Sequence, residues 1–182
     1  GSEMCIRDSI AVVPYFGYAR QDRKDEPRVP ISAKVLLDLM NVVGINRIMA
    51  MDLHSPQIQG FINTPFDHLY SSMALFDRLK EFNLNFENGI VLAPDVGSAK
   101  ISQSYAKRLG VGFALIDKRR PKPNEAKVAH IVGELKNKHV IIIDDMIDTA
   151  GTICNAAETA MNKGASSVTA VGTHPVLSGE SI

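Results

Sequence analysis

The chain has 182 residues, 45% of them hydrophobic and 22% charged, and its 20 lysines and arginines balance 20 aspartates and glutamates. This length suits one domain, or one domain with part of another, and the apolar fraction is too high for a disordered chain. The zero net charge argues against a nonspecific nucleic-acid binder, which needs surplus cations to displace counterions from phosphates.

The cysteines and the hydropathy pattern indicate the cellular location of the protein. Cys5 and Cys154 lie far apart in the sequence, so they form neither a disulfide framework nor a four-ligand zinc site, and we expect a reducing, cytoplasmic location. The longest apolar stretch, 10–19, is about half as long as a bilayer-spanning helix and contains Pro14 and Gly17. We therefore expect no membrane span and no membrane partner.

Residues 1–9 show no apolar period and begin with Gly-Ser, which is typical of a cloning junction, so we leave them out of the fold. From Ile10 onward, short aliphatic runs alternate with longer segments in which apolar residues recur every three or four positions. This alternation predicts an α/β fold with a parallel sheet and helices on both faces. The predicted strands are 10–16, 47–53, 89–94, 112–118, 139–144 and 167–173.

Helices are predicted between these strands. The segment 31–43 follows Pro30 and stops before Gly44, residues that favour a helix start and a helix end. The segment 56–68 contains two prolines and a glycine, so we expect it to be irregular and to mark a domain boundary. Similar apolar spacing predicts the remaining helices over 72–82, 98–109, 125–135 and 152–162.

The strongest functional signal is the segment 139–153, HVIIIDDMIDTAGTI. It predicts a buried strand that ends in two carboxylates and leads through small residues into a helix, whose positive end favours anions. Backbone N–H groups of four consecutive residues can approach a phosphate there, and the glycine has no Cβ to block the approach. These four residues are Thr149, Ala150, Gly151 and Thr152.

Two acids precede this cradle. Asp144 and Asp145 can bind a sugar, because carboxylates accept hydrogen bonds from a vicinal diol. Strict strand alternation sends adjacent side chains to opposite faces, so both acids can engage one sugar only if the strand has already ended. The alternative is an ordinary strand end, in which Asp148 and Thr149 cap the helix.

The segment 139–153 resembles the phosphoribosyl-binding motif of the type I phosphoribosyltransferase fold, and DDMIDTAGT is similar to the ribose-phosphate pyrophosphokinase family. The likeness covers about residues 10–182 and implies two similar domains of that fold, a partial first over 10–68 and most of a second over 69–182. The segments that resemble the family, in its order, are YARQDRK (18–24), RVPISAK (28–34), MDLHSPQIQGF (51–61), APDVGSAK (93–100), DKRRPKPN (117–124) and THPVLSG (173–179).

The resemblance implies an enzyme that transfers the diphosphoryl group of ATP to the 1-hydroxyl of ribose 5-phosphate, giving phosphoribosyl pyrophosphate and AMP for nucleotide biosynthesis. It implies Mg²⁺ as the cofactor and a homo-oligomer whose sites are shared between subunits. It assigns the binding of ribose 5-phosphate to Asp144, Asp145, Asp148, Thr149, Ala150, Gly151 and Thr152.

A cationic segment carries the implied catalytic residues. In DKRRPKPN, period-two alternation places Lys118 and Arg120 on one face, where a proline-containing loop leaves the sheet. A charge run of this kind is usually a solvated surface. The resemblance implies instead that both cations stabilise the transferring diphosphoryl group, which is the electrostatic help that phosphoryl transfer needs.

Two more strand ends carry candidate ligands. His54 follows an apolar strand, where open α/β sheets bind ligands, although a lone histidine there is more often structural. The resemblance implies that His54 helps hold Mg²⁺ and that Asp95 belongs to a second metal on the pyrophosphate side, with Asp52 as an alternative ligand or a structural residue. It also implies a pyrophosphate loop that includes Asp95, Gly97 and Ser98, in which Ser98 stands where the family commonly has a second glycine.

The segment after the first strand is rich in charge. The resemblance implies that Arg20, Gln21 and Asp25 bind ATP, whereas composition alone favours a charged loop exposed to water.

Two other functions stay open. A phosphoribosyltransferase that consumes phosphoribosyl pyrophosphate would share the cradle, but it does not need the cationic segment 117–124. A noncatalytic fragment or associated regulatory subunit would keep the fold, but we expect it to alter the cationic segment or the sugar-binding acids, and both are intact.

Overall fold

The computed structural model describes residues 8–81, 86–119, 128–179 and 181, and within these the side chains of 118, 119, 128 and 129 are left aside. It divides the chain into two units, Gly1–Ser72 and Met73–Ile182. Each unit has its own sheet, and the α/β class predicted from the sequence is confirmed. No helix in the described part of the chain is long and apolar enough to cross a bilayer.

The first unit holds a three-stranded parallel sheet in the order β1-β2-β3. Helix α1 places Ala33 and Leu37 against Ile48 and Ala50 of β2, and all four side chains are buried. The elements are β1 (Ile10–Val13), α1 (Ser32–Val42), β2 (Arg47–Met51), a 3-10 helix (Pro56–Phe61) and β3 (Phe66–Leu69).

The second unit holds a five-stranded sheet in the order β6-β5-β4-β7-β8, in which β6 alone among the described strands is antiparallel to its neighbour. Its elements are α2 (Ser72–Glu81), a 3-10 helix (Phe86–Asn88), β4 (Gly89–Ala93), α3 (Ala99–Leu109), β5 (Gly112–Arg119), β6 (Val128–Val132), β7 (His139–Ile147), α4 (Gly151–Asn162) and β8 (Ser167–Pro175).

Helices cover both faces of this sheet, as the doubly apolar strands predicted. Every residue of β4 is buried. Val91 faces Phe76 of α2 and Tyr105 of α3, whereas its neighbour Leu92 belongs to the core formed with Ile153 of α4. The alternation along β4 and β7 therefore holds α3 and α4 on opposite faces of the sheet.

The helix predicted over 125–135 is wrong, because the structure has strand β6 there, antiparallel to β5 with Asp117 opposite His130. The apolar residues of this segment fit both periods, and pairing with the edge of β5 decides between them. Gly133 follows β6 with a φ of +112°, and a Cβ there would lie 2.8 Å from the Cβ of Ala114. Only a glycine allows the chain to lie so close to β5.

Other boundaries also differ. The segment 56–68, predicted as irregular, contains a 3-10 helix and most of β3, so that prediction is wrong. Strand β1 ends at Val13 rather than at residue 16, and β7 extends to Ile147 rather than ending at residue 144. The extension of β7 matters most, because it takes the strand through the two acids of the predicted sugar site.

We predict that Gly133→Ala lowers the free energy of unfolding by about 2–4 kcal/mol, since it adds a steric collision to the cost of a left-handed alanine. Gly110→Ala is the matched control: Gly110 has a φ of +70° but no atom within 4 Å of its Cβ position. The control should lose only about 1 kcal/mol in urea titrations. Equal losses in the two variants would contradict the close approach of Gly133 to Ala114.

Candidate functional site

The carboxyl ends of β4 and β7 form the centre of the candidate site in the second unit. These two strands are hydrogen-bonded neighbours, with Leu92 opposite Ile142, and each leads through a short loop into a helix. The loop after β4 carries Asp95, and the end of β7 carries Asp144 and Asp145. Ligands of open α/β sheets bind at such an edge, outside the carboxyl ends of the strands.

The two acids of β7 converge although the strand does not end before them. Pairing with β8 continues from Asp144, opposite Gly172, to Ile147, opposite Pro175. The Asp145 N–H donates to Asp144 Oδ1 at 2.9 Å, and the two side chains also form a hydrogen bond. The strand has therefore not ended at these acids, yet their side chains turn toward each other, and their joint binding of one sugar stays a prediction.

This contact changes the ionisation of the pair. Burial raises the pKa of Asp144 to about 7, with further contributions from the hydrogen bond and charge of Asp145 and from the charge of Asp95. Near neutral pH, Asp144 thus holds a proton for part of the time. A protonated carboxyl group beside another carboxyl group offers both a donor and acceptors to sugar hydroxyls.

The predicted cradle, Thr149 to Thr152, lies where the chain leaves β7 and enters α4. Ala150 has a φ of +60° and occupies the cap position of α4, where it makes no side-chain capping bond. The capping of α4 by Asp148 and Thr149 stays an alternative prediction. The loop turns sharply into α4, whose first turn closes with a bond from the Cys154 N–H to the Ala150 carbonyl, 2.8 Å long.

Gly151 is the first residue of α4. Neither its backbone conformation nor the space around it requires a residue without a side chain. Its φ lies outside the left-handed region. A Cβ built on it would meet only the Thr149 hydroxyl oxygen, at 4.0 Å, among the neighbouring atoms. Gly151 and Thr152 are both exposed. The position leaves open space in front of the helix N-terminus, where an anion is electrostatically favoured.

The loop after β4 is fastened by bonds between its own ends. The Ser98 N–H donates to Asp95 Oδ1 at 2.9 Å, and the Ser98 hydroxyl donates to the Asp95 carbonyl at 3.0 Å. The Cβ position of Gly97 lies 3.3 Å from Asp95 Oδ1. A glycine at position 98 would lack the hydroxyl bond. Ser98 therefore stabilises the loop itself, and its role toward pyrophosphate stays a prediction.

In the first unit, the turn after β2 carries His54, which is exposed. The preceding Asp52 has a φ of +41°, and its carboxylate accepts hydrogen bonds from the N–H and the hydroxyl of Ser71. The Asp52 N–H donates to the Leu69 carbonyl at 2.9 Å. These bonds to the chain after β3 favour a structural role for Asp52, whereas the metal role of His54 stays a prediction.

Sequence reasoning missed His68, the residue that holds this turn. His68 Nε2 accepts a hydrogen bond from the backbone N–H of Leu53 at 2.9 Å, and its ring packs against that of Tyr70 with centroids 4.4 Å apart and planes tilted by 39°. Burial lowers the pKa of His68 against the opposing charge of Asp52, which favours the neutral ring that can accept this bond. No sequence signal marked His68, because it lies in the segment predicted as irregular.

The predicted ATP-binding residues Arg20, Gln21 and Asp25 are all exposed. The Gln21 carbonyl accepts from the Ala33 N–H at the start of α1, at 3.3 Å. The next residue, Asp22, accepts a hydrogen bond from the Gln57 side chain. This bond joins the charged segment to the 3-10 helix that follows His54, and the ATP-binding role of the three residues stays a prediction.

The predicted catalytic pair lies outside the described side chains. Arg120 falls in the gap 120–127, and of Lys118 only the backbone, in β5, is described. Within the ranges that the structure does describe, no three His, Cys, Asp or Glu side chains are grouped to hold a metal ion.

Comparison with known proteins places these features in a family context. A sequence model of the phosphoribosyl transferase domain matches residues 72–179, and one of the N-terminal domain of ribose phosphate pyrophosphokinase matches residues 3–44. Ribose-phosphate pyrophosphokinase from Chlorobaculum tepidum is 52% identical over 172 residues, which cover 94% of this chain and 53% of that protein. The Aquifex aeolicus enzyme of the same name is 48% identical over 176 residues, 97% of this chain and 56% of that protein.

A solved structure agrees with these matches. The crystal structure of phosphoribosylpyrophosphate synthetase from Mycobacterium smegmatis superposes with a TM-score of 0.86 at 38% identity, covering 96% of this chain and 56% of that chain. The chain spans about half the length of the relatives it matches.

We predict that the free energy of unfolding falls as the pH rises from 3.8, the ordinary pKa of an aspartate, to about 7, the raised pKa of Asp144. In this window the folded chain holds a proton on Asp144 that the unfolded chain releases, so the loss is up to roughly 1 kcal/mol per pH unit. Asp144→Asn should remove this contribution in urea titrations at successive pH values.

Asp145→Asn separates the causes of the raised pKa of Asp144, because it removes the charge of Asp145 but leaves Asp144 buried. It should lower the pKa of Asp144 only part of the way, as followed by carboxyl NMR. An unchanged pH slope in Asp144→Asn would contradict the raised pKa.

We predict that His68→Ala lowers the free energy of unfolding by about 1–3 kcal/mol, because it leaves the buried N–H of Leu53 without its acceptor. His68→Gln is the matched variant, since its side-chain oxygen can take the place of Nε2, and it should lose less than about 1 kcal/mol. Equal losses in urea titrations of the two variants would mean that ring packing, rather than the hydrogen bond, holds the turn.

Proposed function

Because this chain belongs to the ribose-phosphate pyrophosphokinase family, we propose that it transfers the diphosphoryl group of ATP to the 1-hydroxyl of ribose 5-phosphate. The products are phosphoribosyl pyrophosphate and AMP, and the reaction serves nucleotide biosynthesis. The observation that carries the proposal is the open position at Gly151 at the start of α4, together with two converging acids in the last part of β7.

Each part of ribose 5-phosphate has a matching group in the second unit. The 5-phosphate lies at the N-terminus of α4, where the helix dipole and backbone N–H groups favour an anion. The ring hydroxyls bind Asp144 and Asp145, which together offer a proton donor and several acceptors. The cradle thus orients the sugar through both ends and leaves the 1-hydroxyl to react.

In the reaction, the 1-oxygen attacks the β-phosphorus of ATP in line. The new bond joins this oxygen to the β-phosphorus, the bond from the β-phosphorus to the bridging α,β-oxygen breaks, and AMP leaves with that oxygen. The 1-hydroxyl proton passes to solvent, since no described residue is assigned as a general base. Lys118 and Arg120 neutralise the charge that develops on the transferring group.

The proposed metal is Mg²⁺, which when bound neutralises phosphate charge and favours oxygen ligands. The Asp95 carboxylate fits this preference: one of its oxygens accepts the Ser98 N–H, and a carboxylate has about four lone-pair sites in all. His54, in the first unit, is proposed to help hold a separate Mg²⁺. Arg20, Gln21 and Asp25 are proposed to bind ATP, and their exposed positions leave them accessible to a nucleotide.

The family match favours this reaction over base transfer. The phosphoribosyl transferase domain alone would suit either chemistry, but the match of residues 3–44 is to the N-terminal domain of ribose phosphate pyrophosphokinase. We further propose a homo-oligomer with shared sites and a cytoplasmic location, in line with the two widely separated cysteines.

The direct test measures AMP and phosphoribosyl pyrophosphate formed from MgATP and ribose 5-phosphate, with wild type and Lys118→Ala in parallel. Turnover in the wild type that Lys118→Ala abolishes is the expected result. Products formed from phosphoribosyl pyrophosphate and a nucleobase, with none from ATP, would overturn the proposal in favour of base transfer.

We predict that Gly151→Ala weakens ribose 5-phosphate binding by roughly tenfold or more, which corresponds to about 1.4 kcal/mol, because its methyl group enters the phosphate space. The free energy of unfolding should change by less than about 1 kcal/mol, since apart from the adjoining residues and the helix's own backbone the nearest atom lies 4.0 Å from that methyl position. Isothermal titration calorimetry measures the binding.

Gly60→Ala is the matched control, because Gly60 also has an open Cβ position but lies in the first unit. Its binding should equal that of the wild type. Unchanged binding in Gly151→Ala would contradict the placement of the phosphate at α4.

A further inference from the structure

The chain beyond β8 turns back onto the cradle. We call residues 176–178 the strap. The Val176 N–H donates to the His174 carbonyl at 3.0 Å, and this tight turn redirects the chain at the end of β8. The strap then runs beside the end of β7, so that it lies against the segment that carries the proposed sugar-phosphate site.

The strap is joined to that segment by successive hydrogen bonds. The Leu177 N–H donates to the Ile147 carbonyl at 2.9 Å, and the Ser178 N–H donates to the Asp148 carbonyl at 3.1 Å. The Ser178 hydroxyl also donates to Asp148 Oδ1. Ser178 therefore bonds to both the main chain and the side chain of Asp148.

Backbone strain supports a functional reading of this contact. Leu177 has a φ of +51° and Ala150 has a φ of +60°, and neither is a glycine. Such residues are costly and persist where the surrounding bonds dictate them, often at binding sites. Leu177 and Ser178 are both exposed, so burial does not account for the strained turn. The bonds to Ile147 and Asp148 do account for it.

We propose that Ser178 is a positioning residue for ribose 5-phosphate, acting through Asp148. This inference rests on the proposed function, which places the sugar phosphate in the cradle. The hydroxyl of Ser178 fixes one oxygen of the Asp148 carboxylate, and a carboxylate can accept further hydrogen bonds from a ligand. The strap thus orders the Asp148 side chain before the ligand arrives, which lowers the entropic cost of binding.

The test compares Ser178→Ala with Ser178→Thr, which keeps the hydroxyl. Ser166→Ala is the matched control: Ser166 is also exposed, and its hydroxyl donates to the Lys138 carbonyl at 2.8 Å, near the start of β7. Calorimetry with ribose 5-phosphate should show roughly three- to tenfold weaker binding in Ser178→Ala, the loss expected for a hydrogen bond to a charged group. Ser178→Thr and Ser166→Ala should bind within about twofold of wild type.

A double-mutant cycle with Asp148→Ala tests the route of the effect. If Ser178 acts through Asp148, then Ser178→Ala should cause no further loss of affinity in the Asp148→Ala background. Wild-type affinity in Ser178→Ala, or an undiminished effect of Ser178→Ala in that background, would overturn the positioning role while leaving the proposed function intact. Absence of ribose 5-phosphate binding in the wild type would overturn the proposed function, and the inference with it.

Discussion

The parallel pairing of β4 with β7 is the constraint on which the second unit depends. Both strands are buried through their aliphatic residues, and helices on the two faces of the sheet fill the alternating positions. Because parallel strands end at the same edge, this pairing brings the acid after β4 close to the acids of β7. Helices α3 and α4 also begin at that edge. The pairing of β4 with β7 therefore determines both the packing of the core and the position of the acidic side chains.

Much of this architecture follows from local sequence patterns. β4 and β7 are uninterrupted aliphatic runs, and α4 begins within one residue of its predicted start because a glycine and small residues precede a clear apolar period. β6 could not be predicted, since its apolar spacing also suits a helix and only the edge of β5 decides. β3 was missed because four residues between prolines and polar groups give too short a pattern.

For the candidate site, too, the sequence predicted some features and not others. The residue types of the cradle and their order along the chain indicated a sugar-phosphate site, and the structure joins them at one sheet edge. Contacts between distant residues left no trace in the sequence: His68 reaches Leu53 across β2 and β3, and Ser178 reaches Asp148 across β7 and β8. Such contacts depend on which strands pair, so single-sequence patterns do not contain them.

The loop of Asp95 and Ser98 illustrates what internal bonding means for recognition. Its serine N–H and hydroxyl are already committed to the aspartate, so the loop keeps its shape with purely local support. An anion that accepts the Ser98 N–H must displace the Asp95 carboxylate, so its binding exchanges one hydrogen bond for another. The free energy of such binding is reduced by the bond that is lost, so a loop that is already satisfied internally binds an anion less tightly than one with an uncommitted N–H.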